Sequence, residues 1–335
     1  MSDDEISTED TMRERADESR VKLWLLLGAN RLVVTGVLSL AFFGLFMLGA
    51  ALDPSFPAML RDRTVIKTLF ASMLGSLITG VTLVVTISQL IVSQENGPLG
   101  EQRTRMSETM DFRKYTAELV GKPAPADPSA FLRNLVDATE TRADDLRAAV
   151  DGSDPDLRDE VDEFVDSLTG NAETVREQLD GARFGTFDVV YASMNYNYSW
   201  KIFQIERLED DYDDVLDDDQ REVLDELRTS LTMFGPAREH IKTLYFQWEL
   251  INLSRLILYV AIPSLLIAGM MISFVDASTV TGATLGAANV LWIVGIAFTI
   301  TVVPFLMLTS YVMRIATIAK RTLAIGPLIL RDSQR

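Results

Sequence analysis

The chain has no cysteine, one histidine (His240) and only seven lysines among its 335 residues. Without cysteine there is no disulfide, no thiolate metal site, no cysteine nucleophile and no palmitoyl anchor. One histidine leaves no cluster for zinc or non-haem iron. His240, beside Glu239 and near Trp248, reads as a helix-surface group rather than a catalytic base. A phosphate-binding glycine loop, a GxSxG elbow and the kinase and nuclease residue sets are all missing. No catalytic, cofactor-binding or metal-binding residue is therefore assigned, and an enzyme is not expected. With a net charge of -17, nucleic acid is not an expected partner. The first twenty residues are acidic and polar, unlike the basic start of a cleaved secretory signal. They read as a disordered cytoplasmic tail preceding an uncleaved first span.

What is present divides sharply. The chain is 48% hydrophobic with positive mean hydropathy, yet strongly acidic. Those properties conflict in one soluble domain and agree for apolar spans joined to an acidic soluble part. Leu32 to Leu52 is uncharged and reads as span one, with Gly36, Gly44 and Gly49 offering close helix approach. Val21 to Asn30 reads as an interfacial turn or the inner end of that span, with Trp24 at headgroup depth. A short proline-containing connection leads to span two, about residues 68–94. Leu256 to Met313 holds one charged residue, Asp276, and is long enough for two crossings, about residues 254–275 and 289–313. Pro263 and Pro304 lie inside these two spans and are candidate hinges, because each removes a backbone hydrogen bond.

Span two carries the best functional signal. Ser72, Ser76, Thr79, Thr82, Thr86, Gln89 and Ser93 recur in steps of three and four, which places them on one helix face. A face this polar is expected to meet other helices or water rather than acyl chains. One reading is a pore or solute-path lining, in which hydroxyls replace part of an ion's hydration. The other is helix packing through small pairs four apart, Ser72/Ser76, Ser76/Gly80 and Thr82/Thr86. A lining needs several copies around one axis. No acid lies deep in a span, which counts against proton-coupled transport.

Residues 95–250 form the acidic part, predicted as a cytoplasmic bundle of four or five helices. Leu132, Leu135, Val136, Thr139, Leu146 and Val150 make one apolar face; Leu157, Val161, Phe164, Val165, Leu168, Val175 and Leu179 make a second. Phe184 through Leu208 make a third at near-heptad steps, and Val223, Leu224, Leu227, Leu231 and Phe234 begin a fourth. From Pro236 the helical pattern runs on into span three with no breaker before Pro263. The acidic run from Glu209 to Asp219 lacks the spacing and central glycine of a calcium loop and reads as solvated turn. Tyr191, Tyr196, Tyr198 and Trp200 read as core or subunit contact before ligand stacking.

Lysine and arginine gather next to the span ends on one side: Arg13, Arg15, Arg20, Lys22 and Arg31, then Arg103, Arg105, Arg113 and Lys114, then Arg238, Lys242 and Arg255, then Arg314, Lys320 and Arg321. Arg61, Arg63 and Lys67 dissent. This bias places both termini, the 317–335 tail and the large loop in the cytoplasm of a multi-pass cell-membrane protein.

The layout, two spans, a large helical cytoplasmic insert and two more spans, resembles the stator and energiser subunits of the MotA and ExbB/TolQ type, in topology only. The stretch GSLITGVTLVVTISQLIVSQENGP resembles a span in an uncharacterised prokaryotic membrane family, which implies membrane location. The aspartate-rich, lysine-poor composition is similar to that of halophilic archaeal proteins. The resulting expectation is an all-α integral membrane protein that is homo-oligomeric in the lipid bilayer. Its function is expected to be an ion or small-solute channel partly lined by span two. The alternative is a membrane-anchored sensor or scaffold whose bundle binds a cytoplasmic protein partner.

Overall fold

The computed structural model describes residues 19–322 except Pro54, Arg61, Asn96, Phe184 and residues 276–278. Most of the acidic tail, residues 323–335 and the assignments made to Arg61, Phe184 and Asp276 therefore lie outside the described residues. Among the described residues the protein is all-α apart from one small hairpin. After a helical turn at Arg20–Leu23 and a π-helical turn at Trp24–Gly28, the main helices are α1 (Arg31–Leu52), α2 (Arg63–Glu95), α3 (Leu99–Val120), α4 (Pro128–Ala149) and α5 (Pro155–Leu179). They continue as α6 (Phe187–Asn195), α7 (Tyr198–Asp211), α8 (Asp218–Phe274) and α9 (Asn289–Arg321). Four of these, α1, α2, α8 and α9, are long and apolar enough to cross a membrane.

The chain divides into two compact units. One holds Gly97–Phe246 with residues from both chain ends; the other holds Leu25–Asn96 and Gln247–Ala316. In the first, α4 and α5 start alike. Asp127 caps the Ala130 amide and Asp154 caps the Asp156 amide, each followed by a proline in the first turn. Their predicted apolar faces are buried throughout, from Leu132 to Val150 and from Leu157 to Leu179. Leu224, Leu227, Leu231 and Phe234 of α8 are likewise buried. Fully burying a leucine contributes roughly 1.5–3 kcal/mol, so these faces dominate over the ion pairs of Arg147 with Asp162 and Arg176 with Asp137.

The third predicted face is not one helix. It breaks at Tyr196–Asn197 into α6 and α7. The cause is side-chain chemistry: Asn171 of α5 donates to the Asn195 carbonyl at 3.0 Å and accepts from the Asn197 amide at 3.4 Å. Those bonds replace helix bonds at the break.

The second unit packs in two apolar clusters. Ile66 and Phe70 of α2 meet Ala268 and Met271 of α8 and Val290, Val294 and Ala297 of α9. Val84 of α2 meets Leu253, Ile257, Met307 and Tyr311. The first cluster joins the end of α8 to the start of α9, and the second joins earlier residues of α8 to later residues of α9, so these two helices run antiparallel. The connection between them forms a two-residue hairpin, Ala283–Thr284 paired with Ala287–Ala288. Leu285 and Gly286 turn it with φ of 54° and 80°. Glycine takes such a turn freely, whereas leucine does so under strain.

Candidate functional site: the polar face of α2

All seven residues of the stripe lie on α2, and all seven are exposed: Ser72, Ser76, Thr79, Thr82, Thr86, Gln89 and Ser93. The opposite side of the same helix supplies the buried residues Ile66, Phe70, Leu77 and Val84. The stripe is therefore not used to pack α2 against other helices of its own chain. Three of its hydroxyls are bonded along the helix. Thr79 donates to the Gly75 carbonyl at 3.0 Å, Thr82 to Ile78 at 2.8 Å and Thr86 to Thr82 at 2.9 Å. Such bonds to the carbonyl four residues back lower the cost of an apolar surrounding and leave oxygen lone pairs facing outward.

The contacts within the unit come from residues the stripe does not include. Ser88, half-buried on the packed side of α2, is hydrogen-bonded to Ser254 of α8. Gly80 faces Phe305 of α9, where an added Cβ would lie 3.0 Å from the ring. Gly295 holds the same relation to Phe43 and Phe46. By contrast, nothing lies within 4 Å of a Cβ at Gly36, Gly44 or Gly49, so the close approach expected there is not made within this chain. The sequence signal for Ser88 was its helical register with Leu77 and Val84.

The two candidate hinges differ. Helix α9 runs through Pro304, whose ring nitrogen cannot donate to the Ile300 carbonyl. Ser264 of α8 donates to that carbonyl at 2.9 Å. Pro263 sits in the adjacent position on an exposed face of α8, and among the described residues no side chain donates to the Tyr259 carbonyl.

Two arginines lie unexpectedly deep. Arg31 and Arg314 are buried at 4% and 7% exposure. Both donate to the Ala29 carbonyl at 2.6 Å, and Arg31 also reaches Leu25 and Ser310. The donors close the carbonyls at the end of the π-helical turn and tie it to α9.

A family model described as a family of unknown function, DUF7972, matches residues 1–335. The chain belongs to this family. No curated protein and no solved structure matches it.

The remaining candidates in the DUF7972 chain resolve into structure. Tyr196 and Tyr198 are buried against Phe234, with ring centroids 4.6 and 5.8 Å apart. Burial pushes the Tyr196 hydroxyl above its ordinary pKa, against its bond to Thr139. Tyr191 and Trp200 are half-buried, and His240 is exposed. In the acidic run, Glu209 pairs with Arg228 at 2.7 Å and Asp213 with Arg221 at 2.9 Å.

Proposed function

We infer that this is a four-span membrane protein that assembles from several copies and conducts an ion or small solute along the polar face of α2. The observation that supports it is the direction of that face. Seven hydroxyl and amide residues lie on the side of α2 that its own chain leaves uncovered. Exposed residues of α1 and the apolar part of α8 include many large apolar ones, such as Leu40, Leu45, Tyr259, Ile262 and Leu266, without a comparable row of hydroxyls; α2 exposes Ile78, Leu83, Ile87, Leu90 and Val92 alongside its stripe. The α1 and α8 faces suit lipid; the α2 stripe suits other copies or a water-filled path. The lysine and arginine bias favours cytoplasmic termini and a cytoplasmic acidic unit.

A second reading has its own support. The stripe's threonines are already bonded to their own helix, so this face also tolerates lipid or simple packing. Helix α8 spans 57 residues without interruption. It would carry a signal from a partner-binding bundle to the membrane in a sensor or scaffold.

The test is the double variant Thr82→Val/Thr86→Val, made in full-length protein and reconstituted into planar bilayers at high KCl. The lining reading expects altered unit conductance with the particle mass by light scattering unchanged. Equal conductance in both proteins removes α2 from the path. A monomeric particle removes the shared axis and favours the scaffold reading.

A further inference from the structure

The strongest unexplained arrangement lies where α8 and α9 cross. Proline at 304 leaves the Ile300 carbonyl without its backbone donor, and the Ser264 hydroxyl of the neighbouring helix supplies a replacement at 2.9 Å. Ser264 is fully buried, and it follows Pro263 directly. Pro263 itself lies on the exposed face of α8, so it is the Ile300 gap of α9 that is turned toward the neighbouring helix. Apolar clusters hold the pair on either side: Ala268 with Ala297 beyond it, Ile257 with Met307 before it.

The hydroxyl has a second acceptor. Ser264 also lies 2.8 Å from the Val260 carbonyl of its own helix. A serine has one proton to give, so it is shared between Val260 and Ile300. If the helices part, the proton passes wholly to Val260 and the serine stays satisfied; only the Ile300 carbonyl loses its partner. A small apolar cavity lined by Leu77, Gly80, Ile257, Pro304, Phe305 and Leu308 lies beside Pro304.

We propose that Ser264 and Ile300 form a two-position latch. With the proton shared, it ties the proline interruption of α9 to α8; with the proton on Val260 alone, the helix segments before Pro263 and after Pro304 swing apart. Pro304 is thus a latched hinge, and Ser264 is its positioning residue. The inference stands on this helix pair and does not depend on conduction along α2.

The absence of cysteine makes the test direct. Spin labels are placed on full-length protein in lipid at Leu258→Cys, before Pro263, and Val312→Cys, after Pro304; both positions are exposed. Distances are read by pulsed electron resonance. The unmodified latch should give one dominant distance. Ser264→Ala should raise the longer-distance population by about fivefold, the worth of one modest hydrogen bond. Adding Pro304→Ala to Ser264→Ala should restore the single distance, because residue 304 then donates to Ile300 itself. Ser264→Thr, which keeps the hydroxyl, should match the parent and guards against a general packing loss. The latch is overturned if Ser264→Ala leaves the distribution unchanged. It is equally overturned if Pro304→Ala fails to rescue it.

Discussion

Lys201 Nζ lies 2.6 Å from Asn171 Oδ1, and both side chains are shut away from solvent. The lysine ammonium also sits 4.6 Å from the centre of the Tyr196 ring. Asn171 thus serves a buried cation, the Asn195 carbonyl and the Asn197 amide at once. Its loss strips partners from a charge and from the broken backbone between α6 and α7. Asn171→Ala should cost about 3 kcal/mol, because a buried charge deprived of a partner is expensive. Lys201→Met, which removes the charge and keeps the volume, should cost less. Hydrogen exchange in α5 to α7 reads both, and equal losses of protection would refute this account of Asn171.

Gly80 and Gly75 lie five residues apart on α2 but should respond with opposite sign. A Cβ at Gly80 meets Phe305 at 3.0 Å, whereas one at Gly75 meets nothing within 4 Å. Gly80→Val should lower stability by about 1–3 kcal/mol through overpacking. Gly75→Ala should be neutral or stabilise by up to about 1 kcal/mol, since alanine favours the helix. Thermal midpoints by fluorescence-detected size exclusion in detergent compare the two. A Gly80→Val midpoint at or above that of the parent would contradict the observed packing.

Tyr212 should impose an alkaline limit on the first unit. Burial, its hydrogen bond to Glu160 and the nearby negative charge push its pKa up to about 12 from the ordinary 10. The neutral hydroxyl is the form that the folded state favours. Its contribution is therefore complete below pH 10 and is lost as pH rises from 10 to about 12. Tyr212→Phe should remove that part of the pH dependence and leave any arising from Tyr196. Unfolding followed between pH 9 and 12 checks this; identical alkaline slopes in the two proteins would exclude it.

Much of the second unit was legible from residue type alone. Uninterrupted apolar runs of sufficient length impose helices, because an unpaired backbone is costly away from water. The three- and four-residue rhythm of Leu132 to Val150 likewise identified a buried face before any contact was known. The stripe on α2 was equally visible, since periodicity places seven polar groups on one side of a helix.

Which way that side faces was decided only by tertiary structure. Local spacing orders residues around a helix axis but contains no information on where neighbouring helices lie. The same limit hid Ser88 against Ser254, Gly80 against Phe305, and the break that Asn171 makes between α6 and α7. Pro304 announced a carbonyl without a donor; that Ser264, 36 residues away, would answer it depended on how α8 and α9 cross. Sequence determined the helices and their faces because those follow from backbone bonding and local register. The pairing of faces was left to packing between residues distant in the chain.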